Sequence, residues 1–386
     1  MPRSALDFPQ HDPTPIFEQF RGSYATELLA AAIAEFRLFE RLAAGPMTEA
    51  ELRRELNIEE RPFVVLLTAM RAMGLVTKSV SESPHPGPLP AGEGDKSQNP
   101  LPGPLPAGEG VAELALSPKL ALSPLAAEHL VPGGPFFVGD YVALAADSPG
   151  VQAMSARLRT NRPAHAKQDD PGAAFIFRQG LESAMDHEAS ARRLTLALAG
   201  RAKNAAPHLA ERARLENAKC LLDIGGGTGI YSVACLQRYP HLKAIVWDRP
   251  EVLKVAREFA AEYGVAERLT CSPGDMFADA IPGGCDVLLL SNILHDWDVP
   301  ECRALVNRCA AALPVGGRLL IHDVFLNDAL DGPLPIALYS AALFSLTEGR
   351  AYSAGEYRSW LTAAGLTPCL VVPTLIHCGI LAGVKN

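Results

Sequence analysis

Cys220-Leu221-Leu222-Asp223-Ile224-Gly225-Gly226-Gly227-Thr228-Gly229 decides the fold of this 386-residue chain. The first five residues suit a short buried strand. The glycines make a tight turn, and a helix opens at Ile230. In an α/β sheet such a turn receives a cofactor, because bare backbone approaches closely and helix-start N–H groups point outward.

From that turn onward strands and helices alternate. The pattern predicts strands at 219–224, 243–247, 268–272, 285–291 and 317–325. Helices are expected at 229–238, 250–263, 299–312, 333–347 and 353–364. This is an α/β fold with a Rossmann-like, doubly wound sheet. Strands 368–373 and 376–384 follow closely enough to form an antiparallel edge pair.

The turn narrows the choice of cofactor. A dinucleotide site wants GxGxxG. Here Gly225 and Gly227 are followed by Ile230 at the third glycine position, with Gly229 one residue early. Asp223 ends the first strand, where its charge repels a pyrophosphate and suits an ammonium. Asp248 ends the second strand, where a carboxylate can hold both ribose hydroxyls. Asp275-Met276-Phe277 follows the third, offering a polar contact and apolar faces for adenine. Ribose, adenine and an amino-acid head without a pyrophosphate describe S-adenosylmethionine. The same spacing disfavours a nicotinamide-dependent dehydrogenase.

Leu294-His295-Asp296-Trp297 lies just past the fourth strand, at the same sheet edge. A histidine there can take a proton from a substrate hydroxyl, since its pKa sits near working pH. Asp323, near the end of the next strand, can orient the imidazole. His322 alternates to the other face.

The N-terminal region reads as a helix from 16 to 43, a short helix opened by the capping-box pair Thr48 and Glu51, and a helix from 61 to 73. A strand at Leu75-Val76-Thr77 follows. That order suits a winged helix. A DNA reader needs several basic residues on an exposed face, and 61–73 carries only Arg61 and Arg71. The long apolar first helix suits a dimer contact better.

Residues 81–112 hold a direct repeat: Gly87 to Gly94 recurs as Gly103 to Gly110. Such Pro/Gly density is expected to remain a disordered loop between two wing strands, the second at Leu114-Ala115-Leu116. Helices are expected at 124–130, 136–146, 148–160, 171–186, 188–200 and 207–216. Their aromatic and methionine residues either fill a core or close over a flat apolar substrate. Phe177, Met185, Asp296 and Leu346 are the candidate acceptor contacts. The domain reading is 1–130 for the winged-helix module, 131–218 for the pocket helices and 219–386 for the cofactor-binding domain.

The 43 acidic residues outnumber the 35 basic ones, giving a formal charge of −8. An acidic chain gains little from a phosphate backbone, so nucleic acid is not the expected partner. The eight cysteines form no CxxC pair, which reads as reduced thiols in a cytoplasmic protein. The N-terminus lacks the apolar core of a signal peptide, and no apolar run reaches the roughly 18 residues a membrane span needs. No metal site is expected.

DIGGGTG at 223–229, the late Asp248, GDMF at 274–277, LHDW at 294–297 and GGRLLIHD at 316–323 resemble the class I S-adenosylmethionine-dependent O-methyltransferases. The similarity is to the caffeate and hydroxyindole type, with its bacterial natural-product relatives. The segment YATELLAAAIAEFRLFERLA resembles that family's winged-helix dimerisation domain. The resemblance implies a homodimer methylating a small aromatic substrate. It implies cofactor contacts at Gly225, Asp248, Asp275 and Met276, an aromatic near adenine at Trp297, and a general base at His295; Gly227 and Phe277 are further candidates from the turn and the third strand. Asp323 matches the first of two acids flanking that base. Two positions depart from the pattern. Ser291 stands where relatives carry Lys or Arg near the cofactor, and Ala351 stands where the second acid sits. Either Asp323 alone or Glu348 from a shifted loop would then hold the histidine. The missing acid also leaves open C-methylation or a non-methylating use of the cofactor on the same fold. A DNA-binding regulator that senses the cofactor is a third reading.

Overall fold

A computed structural model describes residues 2–79, 118–162 and 188–386. The expected insert at 81–112, the strand at 114–116 and the helix at 171–186 lie outside the described residues.

The N-terminal region begins with α1 (Thr14–Phe20) and α2 (Ser23–Ala30), a π-turn at Ala31–Glu35, and α3 (Leu38–Ala43). The expected single helix over 16–43 is therefore broken. Arg37 adopts a left-handed conformation (φ 47°), which interrupts the ladder before α3. β1 (Met47–Thr48) leads into α4 (Glu49–Leu56), and both halves of the capping box between Thr48 and Glu51 form. α5 (Glu60–Ala72) is followed by β2 (Val76–Ser79) and β3 (Lys119–Leu122), which pair antiparallel. β1 adds a third strand on the far side of β3. α6 (Pro124–His129), α7 (Gly139–Ala143) and α8 (Pro149–Thr160) complete the region. α7 is shorter than the 136–146 expected.

α9 (Glu188–Arg212) is one helix where two were expected. It continues through Pro207 because Ala205, Ala206, Leu209 and Ala210 bury against α10 and the sheet. Packing outweighs the local penalty of the proline.

β4 (Cys220–Ile224) then leads through the glycine turn to α10 (Ile230–Arg238). β5 (Lys243–Asp248), α11 (Pro250–Glu262), β6 (Leu269–Pro273), β7 (Val287–Ser291), α12 (Val299–Ala312) and β8 (Arg318–Leu326) continue the alternation. α13 (Leu334–Leu346), β9 (Tyr352–Ser353), α14 (Ala354–Ala363), β10 (Leu366–Pro368), β11 (Val372–Pro373) and β12 (Cys378–Lys385) close the chain.

The sheet order is β10-β12-β8-β7-β4-β5-β6, with β9 beside β8 and β11 beside β12. β8 to β6 run parallel, and β12 is antiparallel to both β8 and β10. The strand order reverses between β4 and β7, so the glycine turn sits at the switch point where such sheets bind ligands. The expected strand over 368–373 is split. Pro368 pairs with Gly383 and Val372 with Ile380, which leaves three residues opposite two, a bulge.

One apolar layer packs α9, α10 and α11 on the sheet, and a second packs α12 and α14 on its other face. α13 reads LPIALYSAALFSL, apolar around most of its circumference, and it is buried accordingly. Its Ala341 and Phe344 belong to the core of the N-terminal helices, while Ile336, Ala337 and Leu343 pack with β8 residues. Two buried arginines strengthen this joint. Arg61 of α5 and Arg157 of α8, each 6% exposed, reach the carbonyl end of α13. Arg157 donates to Phe344 O (2.7 Å), and Arg61 to Thr347 O (3.1 Å) and Gly349 O (3.4 Å). Orphan carbonyls at a helix end are thus satisfied from another layer. Arg71 likewise donates to the carbonyls of Ala329 and Leu330. Both basic residues of α5 are therefore engaged inside the chain.

Among the described residues no helix is long and apolar enough to cross a membrane. All eight cysteines are free thiols.

Candidate active site

The glycine turn is held from two sides. Gly225 (φ 65°) and Gly227 (φ 60°) take left-handed backbone that glycine adopts without strain. Above the turn, Gly227 N–H donates to Asp248 Oδ2 (2.9 Å), while Asp248 Oδ1 accepts from Arg249 N–H (2.7 Å). The turn and the end of β5 are thereby locked together. Burial raises the Asp248 carboxyl above its ordinary value, against these backbone bonds.

Asp223 lies beneath the turn with no exposed surface. Its Oδ2 accepts from the Ser232 hydroxyl (2.8 Å), and its Oδ1 has no hydrogen-bond partner among the described residues. Burial pushes its carboxyl up to about 7. The residue expected to face a ligand ammonium is thus fully enclosed beneath the turn.

Asp275 caps the turn after β6. Its Oδ1 accepts from Phe277 N–H (2.7 Å) and Ala278 N–H (3.3 Å). Met276 and Phe277 are half-buried beside Trp297, and the Phe277 and Trp297 rings meet edge-on at 4.6 Å. Ser291 turns its hydroxyl to His322 Nδ1 (2.9 Å), so it pairs across the sheet. His322 also pairs with Thr374 Oγ1 (3.0 Å), and burial depresses its pKa to about 3.

His295 sits on a short 3₁₀ turn (Leu294–Asp296) after β7 and is 4% exposed. Its Nδ1 pairs with Asp323 Oδ1 at 2.6 Å. Asp323 Oδ1 also accepts from Val324 N–H (2.8 Å), and its Oδ2 accepts from the Tyr357 hydroxyl (3.0 Å). The Asp296 carboxylate lies 3.7 Å from His295 Nε2. Burial disfavours the imidazolium, yet Asp323 and Asp296 outweigh it and raise the histidine pKa above 6.5. Burial alone would lift Asp323, but the His295 charge and its hydrogen bonds hold it below the usual range. Asp296 is pushed by burial up to about 6.

Ala351 is fully buried, and its N–H donates to Ser340 Oγ (3.1 Å). The hydrogen-bonding carboxylate at His295 is Asp323, not Glu348, and the second acid beside the ring is Asp296. Gly349 explains how the 347–351 loop approaches so closely. An added Cβ there would collide with the backbone of His295 and Trp297. Tyr352, which opens β9 directly after that loop, donates to Trp297 O (2.6 Å).

Leu346 ends α13 half-buried, while Phe177 and Met185 lie outside the described residues. Several residues around the base escaped the sequence reading. Tyr339 of α13 meets the His295 ring edge-on at 5.7 Å. Arg201 of α9 donates to Asn292 Oδ1 (2.7 Å) and to Cys378 Sγ (3.0 Å). One signal was present for Arg201: it shares the helical face of Ala205 and Leu209, a buried stripe. Tyr357 carried none, since only the fold brings it to Asp323.

The family profile described as an O-methyltransferase domain matches residues 177–367. The chain is 32% identical to the 3-hydroxy-5-methyl-1-naphthoate 3-O-methyltransferase of Streptomyces sahachiroi, over 97% of this chain and 95% of that protein. It is 37% identical to the L-tyrosine C(3)-methyltransferase of Streptomyces lavendulae, over 42% of this chain and 44% of that one. An O-methyltransferase family 2 protein of Planctomyces limnophilus, solved with apigenin, superposes with a TM-score of 0.81. That structure is 42% identical, and the match covers 100% of this chain and 99% of that one. With a full-length relative above 30% identity and a superposable solved structure, this chain belongs to the family of aromatic natural-product O-methyltransferases.

Proposed function

We propose that the protein methylates a hydroxyl of a small aromatic molecule with S-adenosylmethionine, and that His295 takes the hydroxyl proton. The observation that carries this is the 2.6 Å pairing of His295 Nδ1 with Asp323. The carboxylate accepts the Nδ1 proton, which leaves Nε2 as the basic nitrogen. Asp323 then stabilises the imidazolium once Nε2 has gained a proton, and Asp296 does so from the other side. In this chain Asp296 does the work of the second acid missing at 351.

The residues around the turn fit the cofactor. The unpartnered Asp223 Oδ1 beneath the turn favours a cationic amino-acid head above it. Asp248 and Asp275 would hold ribose and adenine, with Met276, Phe277 and Trp297 covering the ring. The cofactor, when bound, supplies an electrophilic methyl on sulfur. The buried ring of residues around His295 orients the acceptor and excludes water, which owes catalysis largely to alignment.

The L-tyrosine C(3)-methyltransferase relative supports a second reading, methyl transfer to carbon. Product NMR after incubation with phenolic acceptors separates the two. An aryl methyl ether supports the first reading, and a new C–CH₃ resonance with no ether overturns it. We also propose a cytoplasmic homodimer. Exposed Ile16, Phe20, Tyr141 and Leu144 on and beside the N-terminal helices support a self-contact. Sedimentation at the mass of one chain would refute it.

A further inference from the structure

We propose that Arg21 and Arg201 form a carboxylate-binding subsite beside His295, so that the acceptor is a hydroxylated aromatic acid. The proposal rests on the O-methyltransferase reading above and names its substrate class.

Arg21 follows α1 and is 7% exposed. Its guanidinium carbon lies 3.6 Å from the centroid of the Tyr339 ring. Arg201 approaches the same ring at 5.5 Å. That ring is itself 5.7 Å from the imidazole of His295. Two guanidinium groups, one from the end of α1 and one from α9, thus converge on one aromatic side chain next to the base.

Among the described residues neither arginine has a hydrogen-bonded carboxylate partner. Among the described residues, Arg21 side-chain contacts are the rings of Phe17 and Tyr339. Among the described residues Arg201 hydrogen-bonds to the neutral Asn292 and the Cys378 sulfur, and its Nε has no acceptor. The nearby acids are already engaged. Asp323 accepts from His295, Val324 and Tyr357, and Asp296 lies against His295 Nε2. Burial holds the Arg21 pKa below its ordinary value, and the adjacent Arg201 charge adds to that, with Tyr339 opposing. Arg21 is buried and Arg201 half-buried, and two like charges so placed are costly unless an anion joins them. A carboxylate matches the planar donor fork of a guanidinium and can bridge two of them. An aromatic ring between that carboxylate and Nε2 would place a ring hydroxyl at the base.

The test is titration calorimetry on the full chain saturated with S-adenosylhomocysteine. The probes are 3-hydroxy-2-naphthoate and 6-hydroxy-2-naphthoate, each against its neutral methyl ester. At least one acid is expected to bind about ten-fold or more tightly than its ester, as charge-assisted hydrogen bonds allow. In Arg21→Gln and in Arg201→Gln that ratio falls toward one. Retained S-adenosylhomocysteine binding shows that each variant is folded. If a variant does not fold, the acid-to-ester ratio of the unaltered protein still decides. Equal binding of acid and ester, no binding of either, or an unchanged ratio in the folded variants overturns the subsite. Methyl transfer to the ester hydroxyl without any preference for the acid removes the subsite and leaves the O-methyltransferase reading standing. Methylation of ring carbon in both probes removes the O-methyltransferase reading instead.

Discussion

His295 Nδ1 and Asp323 Oδ1 stand 2.6 Å apart at the carboxyl edge of adjacent parallel strands, both almost without exposed surface. The carboxylate is itself pinned by Val324 and Tyr357. The Nδ1 side of the imidazole therefore faces a carboxylate that is itself held in place.

Replacing His295 with Ala is expected to lower kcat by about 10²–10⁴-fold, the usual worth of a positioned base. Binding of S-adenosylhomocysteine should persist, since Asp248 and the glycine turn do not depend on the imidazole. A His295→Ala protein with full turnover would remove the base assignment.

The pH profile follows from the raised histidine pKa. Only neutral His295 accepts a proton, so kcat should fall as pH drops through a value above 6.5. In Asp323→Asn the raising charge is gone and burial dominates, so that acid limb should move to lower pH. The plateau should drop roughly 10–100-fold, as for loss of an orienting partner. A limb that stays in place in Asp323→Asn would show that another group titrates.

Asp223 makes the protein without cofactor sensitive to pH. Its folded pKa of about 7 lies above the unfolded value of 3.8. The folded state therefore holds this proton more tightly, and the stability this contributes is present below 3.8. It is lost as pH rises from there through about 7. The span corresponds to a few kcal/mol, on the order of 1.4 per pH unit as an upper bound. Asp223→Asn should flatten the melting temperature between those pH values. An unchanged pH dependence of Tm would contradict the assignment.

Gly349→Ala tests the packing of the 347–351 loop on the base. The new methyl would push against the backbone of His295 and Trp297. Turnover should fall on the order of 10²-fold, since about 1 Å of misplacement suffices for that. Cofactor affinity should change far less, measured by calorimetry.

Arg61 tests the joint between layers. Besides Thr347 O and Gly349 O, it donates to Asn161 Oδ1 (2.8 Å) and Asn161 O (3.1 Å). Arg61→Met should cost about 2–4 kcal/mol by leaving several buried acceptors unpaired, read as a lower chemical-denaturation midpoint. Arg61→Lys should not restore it, because one ammonium cannot span four acceptors in a planar fork.

Much of the fold is legible because its signals are local. The alternation of strands and helices, the glycine turn at 225–229 and the capping pair Thr48 and Glu51 each lie within a few residues of chain. Steric limits on φ and hydrogen bonds to the nearest backbone act over that range. Where local signals conflicted with packing, packing prevailed. α9 runs through Pro207 because its alanine face is buried, and the helix over 16–43 breaks at Arg37.

The sequence by itself determined the sheet, the glycine turn at its edge and the histidine at that same edge. Asp323 was expected beside the histidine from the sequence, and only the tertiary structure decided the rest of its surroundings. Asp323 is 28 positions away from it, Tyr357 another 34 beyond, and Arg61 reaches Thr347 across 286. Asp296 lies 3.7 Å from Nε2, and Tyr339, with Arg21 and Arg201 against its ring, meets the imidazole. Such meetings depend on how separate layers dock. Docking is set by the summed burial of many side chains, which no short stretch of sequence encodes.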